Sequence, residues 1–252
     1  MLDNIKLLNK KDELLDVLIE GKEDASHTII FVHGFATDKH ETAFYFDDIA
    51  VALKNNYRII RFDFSGCGFS QGQLQEKDYQ KWADDLDVIL DYVKTKYQTK
   101  IYIIAQSMGC FITSLLDKDG IEKTIFTGIP NDNIPYIIDH LFNRFGTRQG
   151  GKIDMNGVSY LPRSTGIVQK IGPTFWQVLK SFNPLEAVTI FSKKTNLLII
   201  HPKQDEVVGD KYLESYKNIP HIKEIWLNGN HAFSKKEDRK ILIAEITNFF
   251  LS

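Results

Sequence analysis

Within a few residues around Ser107 the chain changes its hydrophobic period from that of a strand to that of a helix. Ile101-Tyr-Ile-Ile104 is a short apolar run of the kind that forms a buried parallel strand, whereas Phe111, Ile112, Leu115 and Leu116 recur at helical spacing. A chain that turns this abruptly from strand to helix needs small residues at the crossing. Ala105 and Gly109, two before and two after Ser107, supply them. Ser107 then lies at a strand's carboxyl end, with strained backbone geometry, an exposed hydroxyl and a helix N-terminus beneath it. An ordinary N-cap serine fits the same five residues, so the remainder of the chain has to decide between the two readings.

The same alternation continues along the chain. Asn4 to Glu20 reads as an edge hairpin around Asn9-Lys-Lys-Asp12, with Leu15, Val17 and Ile19 alternating as in a half-buried strand. Apolar strands follow at Thr28–Val32, Tyr57–Phe62, Lys123–Phe126, Asn196–Ile200 and Lys223–Leu227. Helices are expected near Glu41–Asn55, over Asp78–Tyr97, over Asp210–Asn218 and over Lys236–Leu251. This rhythm predicts an α/β protein with a mostly parallel sheet covered on both faces.

From about residue 130 to 190 the rhythm breaks. The stretch holds five of the chain's seven prolines and the pair Gly150-Gly151. Its Asn156-Gly157 pair predicts a small hairpin within Lys152–Tyr160, and Tyr136–Phe145 and Phe175–Phe182 read as short helices. Ile137, Phe142, Phe145, Phe175, Trp176 and Phe182 make it too apolar for a linker. The expected organisation is therefore a core of residues 1–129 and 191–252 with a 130–190 lid folded over it. An apolar insertion of this kind also suits a homodimer surface.

A net charge of −2 with interspersed acids and lysines gives no electrostatic reason to expect nucleic acid or an anionic membrane. Cys67 and Cys110 form no disulfide framework, and the residue pattern suggests no metal or cofactor site. Met1 to Lys10 lacks the apolar stretch of a secretory signal and no run reaches membrane-spanning length, so a cytoplasmic location is expected.

In parallel α/β sheets functional groups gather at the strands' carboxyl ends. Asp205 follows the strand ending at His201, and His231 follows the last strand, which yields the order Ser107, Asp205, His231. A serine hydroxyl is a poor nucleophile without a positioned base. His231 is the candidate base, with His201 the nearest rival. Asp205 is the candidate acid that orients the imidazole and stabilises its cation. Asp132, after the preceding strand, and Glu206, beside Asp205, are the alternatives. A developing oxyanion needs two preorganised donors, for which the backbone N–H of Met108 and that of Phe35, in His33-Gly34-Phe35, are the candidates. The glycines of Asp63-Phe-Ser-Gly-Cys-Gly-Phe-Ser70 read as a tight loop, because no helix follows directly to make a phosphate cradle.

With His33-Gly34-Phe35, Asp63-x-x-Gly66-x-Gly68-x-Ser70, Ala105-x-Ser107-x-Gly109, Asp205 and His231 in this order and spacing, the chain resembles the α/β-hydrolase superfamily over nearly its whole length. Within it the chain is most similar to small bacterial serine esterases of the cinnamoyl (feruloyl) type. The resemblance implies an α/β-hydrolase fold: a mostly parallel eight-stranded sheet, helices on both faces and an inserted lid. It implies cleavage of a small-molecule carboxylic ester, of medium-chain or aromatic rather than charged acyl group, through an acyl-enzyme and without a cofactor. It also makes Asp154 and Tyr160 candidate substrate contacts in the lid. Ala105 in place of the usual glycine and Gln106 before the serine depart from the commonest pattern. The same triad serves peptidases, thioesterases, acyltransferases and carbon–carbon hydrolases, and a non-catalytic binding protein is the remaining alternative.

Overall fold

The computed structural model describes residues 2–163, 166–209 and 211–252. The N-terminal hairpin pairs β1 (Leu2–Leu8) with β2 (Leu14–Gly21) in antiparallel register, Leu8 opposite Leu14. Leu15, Val17 and Ile19 of β2 point inward and are fully buried, as their alternation predicts. There follow β3 (His27–Val32), α1 (Tyr45–Leu53), β4 (Arg58–Phe62), α2 (Tyr79–Lys96), β5 (Lys100–Gln106), α3 (Met108–Ser114) and β6 (Ile121–Thr127). After a long excursion come β9 (Asn196–Gln204), β10 (Lys223–Asn230) and α7 (Lys236–Leu251). These strands form one eight-stranded sheet in the order β1-β2-β4-β3-β5-β6-β9-β10. Only the β1–β2 and β2–β4 pairs are antiparallel. This is the α/β-hydrolase fold.

Period-two alternation in the central strands supplies both faces of the sheet. Ile30, Val32, Ile103 and Ala105 face a core shared with Trp82, Leu86 and Ile89 of α2 and with Phe111 of α3. Ile29, Phe31, Tyr102 and Ile104 face a second core with Phe46 and Ile49 of α1 and Leu242 and Ile246 of α7. Each such aliphatic or aromatic side chain contributes on the order of 1.5–3 kcal/mol on full burial, so the sheet is held from both sides. Asp78 caps α2 by accepting a hydrogen bond from Lys81 N (3.1 Å).

The excursion between β6 and β9 contains α4 (Ile134–Leu141), β7 (Ser159–Pro162), β8 (Val168–Ile171), α5 (Pro173–Ser181) and α6 (Pro184–Ser192). The hairpin expected around Asn156-Gly157 is reduced to a single bridge between Lys152 and Tyr160. The true ladder pairs β7 with β8, joining Tyr160 to Lys170 and Leu161 to Gln169. The helix expected over Asp210–Asn218 is one 3₁₀ turn, Leu213–Tyr216; Asp210 itself lies outside the described residues. Tyr212, at φ 61°, is left-handed and cannot continue an α-helix. Among the described residues no helix is long and apolar enough to cross a membrane.

Candidate active site

β5 delivers Ser107 to the carboxyl edge of the sheet, and α3 begins at the next residue. Ser107 adopts φ 55°, ψ −124°, a conformation rare for a residue with a side chain, and its N–H is tied to Thr127 O (2.9 Å). The neighbouring small residue is essential to this geometry: a Cβ on Gly109 would lie 2.5 Å from Val32 O and 2.7 Å from His33 O. The Ser107 side chain makes no hydrogen bond that caps α3, which removes the ordinary reason for a serine there.

His231 lies in the turn between β10 and α7, and its Nδ1 is 2.7 Å from Asp205 Oδ2. Asp205 is fixed in turn, because its Oδ1 accepts from Val207 N (2.9 Å) and Val208 N (3.0 Å). Its carboxylate thus makes Nδ1 the protonated nitrogen of His231, leaving Nε2 as the acceptor. Gly128 packs behind the ring; a Cβ there would stand 2.9 Å from His231 Cε1. Among the described residues neither rival carboxylate pairs with the imidazole of His231. Asp132 accepts from Ser215 Oγ, and Glu206 from His231 N (3.4 Å). His201 is stacked on Trp226 with ring centroids 4.4 Å apart.

The loop after β3 is built around His33. Its Nδ1 lies 2.8 Å from Gly34 O and its Nε2 accepts from Phe64 N (3.0 Å), so Nδ1 carries the proton. Among the described residues the N–H groups of Phe35 and Met108 have no hydrogen-bond partner. A Cβ on Gly34 would be 3.1 Å from Ser107 Cβ, so this loop lies directly against the elbow.

Sequence reasoning missed two supports of this arrangement. Gln106, buried, donates from Nε2 to His231 O (2.9 Å) and accepts from Thr127 Oγ1, stapling the histidine turn to the elbow. Asp63 accepts from Lys39 N (2.7 Å), Phe69 N (2.8 Å) and Lys39 Nζ (2.9 Å), and Lys39 Nζ also pairs with Asp16 Oδ2 (2.5 Å). The carboxylate of Asp63 therefore organises the tight loop, and a Cβ on Gly68 would come within 2.2 Å of it. Both supports join residues far apart in the chain.

Ser107, His231, Phe35 and Met108 share the wall of a cavity of about 670 Å³. Ile137, Leu141, Phe145, Leu161, Phe175 and Trp176 of the β6–β9 excursion line the same cavity. Asp154 and Tyr160 do not, contrary to expectation. Asp154 accepts from Asn156 N in its own turn (3.1 Å), and Tyr160 alternates with Leu161, which takes the buried side of β7. Among the described residues no His/Cys/Asp/Glu group is arranged to hold a metal ion. Burial pushes the thiols of Cys67 and Cys110 well above the ordinary cysteine range, so both are inert packing groups at neutral pH.

The family model for the alpha/beta hydrolase fold matches residues 27–116. No curated protein sequence matches the chain. Among solved structures, Est1E from Butyrivibrio proteoclasticus with ferulic acid bound superposes with a TM-score of 0.77 at 19% identity, over 98% of each chain. An esterase of Pyrococcus furiosus does so with a TM-score of 0.71 at 16% identity, over 99% of this chain and 89% of that one. Mouse alpha/beta hydrolase domain-containing protein 10 gives a TM-score of 0.70 at 20% identity, over 99% of this chain and all of that one. At these identities the likeness is one of fold.

Proposed function

We propose that the protein is a serine hydrolase that cleaves carboxylic esters through an acyl-enzyme. The observation that carries this reading is the strained Ser107 on the wall of a cavity that also holds His231, itself fixed by Asp205 at 2.7 Å. His231 Nε2 takes the Ser107 proton as Oγ attacks the ester carbonyl. The Phe35 and Met108 N–H groups receive the negative charge that develops on the carbonyl oxygen. The imidazolium, stabilised by Asp205, then protonates the leaving alcohol. In the second half-reaction His231 activates water against the acyl-enzyme and returns Ser107 to its free state. The hydrogen bond between Ser107 Oγ and His231 Nε2 tightens on substrate binding, as catalytic hydrogen bonds often do.

The 130–190 segment serves as the lid, since its Ile137, Leu141, Phe145, Leu161, Phe175 and Trp176 supply an apolar wall opposite the serine. A medium-chain or aromatic acyl group fits that lining, and the ferulic acid held by Est1E supports an aromatic one. Hydrolysis of a nitrophenyl ester series by the wild type, and its loss in Ser107→Ala, tests the reading. Full activity in Ser107→Ala would refute it. Thioester and aminoacyl substrates in the same panel separate an esterase from its thioesterase and peptidase relatives.

A further inference from the structure

The side chain of Phe145 is buried, and three guanidinium groups stand around its ring. Arg148 lies 5.3 Å from the ring centroid, Arg163 5.6 Å and Arg144 5.7 Å. Among the described residues none of the three makes an ion pair, whereas Arg61 is paired with Glu20 and Asp47, and Arg239 with Asp48. Their hydrogen bonds go to backbone carbonyls alone: Arg144 to Glu206 O (3.3 Å), Arg148 to Pro162 O (2.7 Å), and Arg163 to Phe35 O (2.6 Å) and Ala36 O (3.3 Å). Burial and the nearby Arg144 push the Arg163 guanidinium down to about 10, so the cluster opposes its own charge.

Arg144 and Arg163 open onto the cavity that holds Ser107 and His231. The Nε and Nη1 groups of Arg163 have no hydrogen-bond partner among the described residues. The carboxylates on the same wall are already committed to other donors. Asp38 accepts from His40 N (2.9 Å), Glu206 from His231 N (3.4 Å), and Glu41 from Gly34 N, Thr42 N and Thr37 Oγ1.

We propose that the ester taken by this site carries a second, anionic group, a carboxylate or phosphate, bound by Arg144 and Arg163 beside Phe145. The proposal rests on the ester-hydrolase reading and narrows its substrate class. The lid's aromatic lining alone points to a neutral acyl group; its unpaired arginines point to an apolar chain with a charged end. A guanidinium presents its donors in a planar fork that matches both oxyanions.

The test is calorimetric titration of the Ser107→Ala protein, which cannot turn the ligand over. The monomethyl esters of the dicarboxylic acids from succinate to suberate are compared with their dimethyl diesters, and a parallel arm uses methyl esters ending in phosphate. The expected result is that one anionic series binds at least about tenfold more tightly than the neutral diesters, the factor that a charge-assisted hydrogen bond supplies. That preference should fall in Arg144→Gln and Arg163→Gln, be partly kept in Arg163→Lys and weaken in high salt. Circular dichroism of each variant separates lost recognition from lost fold, and Arg144→Gln leaves the bonds to the Phe35 loop in place. Equal affinity for anionic and neutral esters would overturn the proposal, as would a preference that survives Arg144→Gln. Wild-type hydrolysis is followed in parallel. Anion binding without any ester turnover would strike the hydrolase reading and leave the anion site standing.

Discussion

Asp205 Oδ2 stands 2.7 Å from His231 Nδ1, while its other oxygen is held by the Val207 and Val208 N–H groups. The carboxylate is thereby locked on two sides, and the imidazole has one orientation and one tautomer. Asp205→Asn keeps the backbone bonds through the amide oxygen but turns an N–H toward Nδ1. His231 must then carry its proton on Nε2, where a base is needed. The expected result is a fall of about 10³–10⁴ in kcat on a nitrophenyl ester. Asp132→Asn, whose carboxylate serves Ser215, should stay within about twofold of wild type by comparison with that loss. The reverse ranking would move the acid to Asp132.

Gly128 supplies a second test of the same ring. It has φ 55°, and a Cβ there would stand 2.9 Å from His231 Cε1 and 3.0 Å from Nδ1. Gly128→Ala should push the imidazole off its position and lower kcat/KM by about 10², the usual consequence of displacing a catalytic group by an ångström. Unaltered kinetics in a folded variant would show that the histidine does not act from this position.

The buried group of Lys39, Asp16 and Asp63 governs stability. Burial works against the Asp16 carboxylate, but hydrogen bonds from Lys39 and Lys6 outweigh it and hold the carboxyl below its usual range. Burial likewise works against the Lys39 ammonium, and its bonds to Asp16 and Asp63 outweigh that and raise it. The Asp16 contribution is present above the ordinary carboxyl range and is lost as pH falls through the lowered folded-state value. The Lys39 contribution is present below the ordinary lysine value and is lost as pH rises through the raised one. Urea denaturation should therefore show a plateau across neutral pH with declines at both ends. Lys39→Met leaves the buried Asp16 carboxylate with Lys6 alone and that of Asp63 with only its backbone donors, and should cost about 3–5 kcal/mol at neutral pH. The gap to wild type should narrow in acid, where the Asp16 carboxyl protonates; a pH-independent gap would contradict this account.

Much of the fold was legible because the strands of a parallel sheet are continuous apolar runs, and Ile29–Val32 and Ile101–Ala105 read that way. The strand ends then placed Ser107, Asp205 and His231 on one edge without reference to side-chain contacts. What escaped depended on contacts across the chain. Gln106 meets the His231 backbone, and Asp63 meets Lys39, only after the sheet has formed. Leu161 and Arg163 line the cavity where the resemblance implied Tyr160, and the pairing of β7 with β8 that sets this phase is not visible in the sequence. The helix expected near residue 210 failed at Tyr212, where one left-handed residue outweighs apolar spacing.

The most direct test of the central claim is labelling of the wild-type protein with a fluorophosphonate probe, followed by mass mapping of the modified peptide. An activated serine should be modified stoichiometrically at Ser107, with labelling abolished in Ser107→Ala and strongly slowed in Asp205→Asn. Failure to label the folded protein, or modification at another residue, would contradict the assignment of Ser107 as the nucleophile.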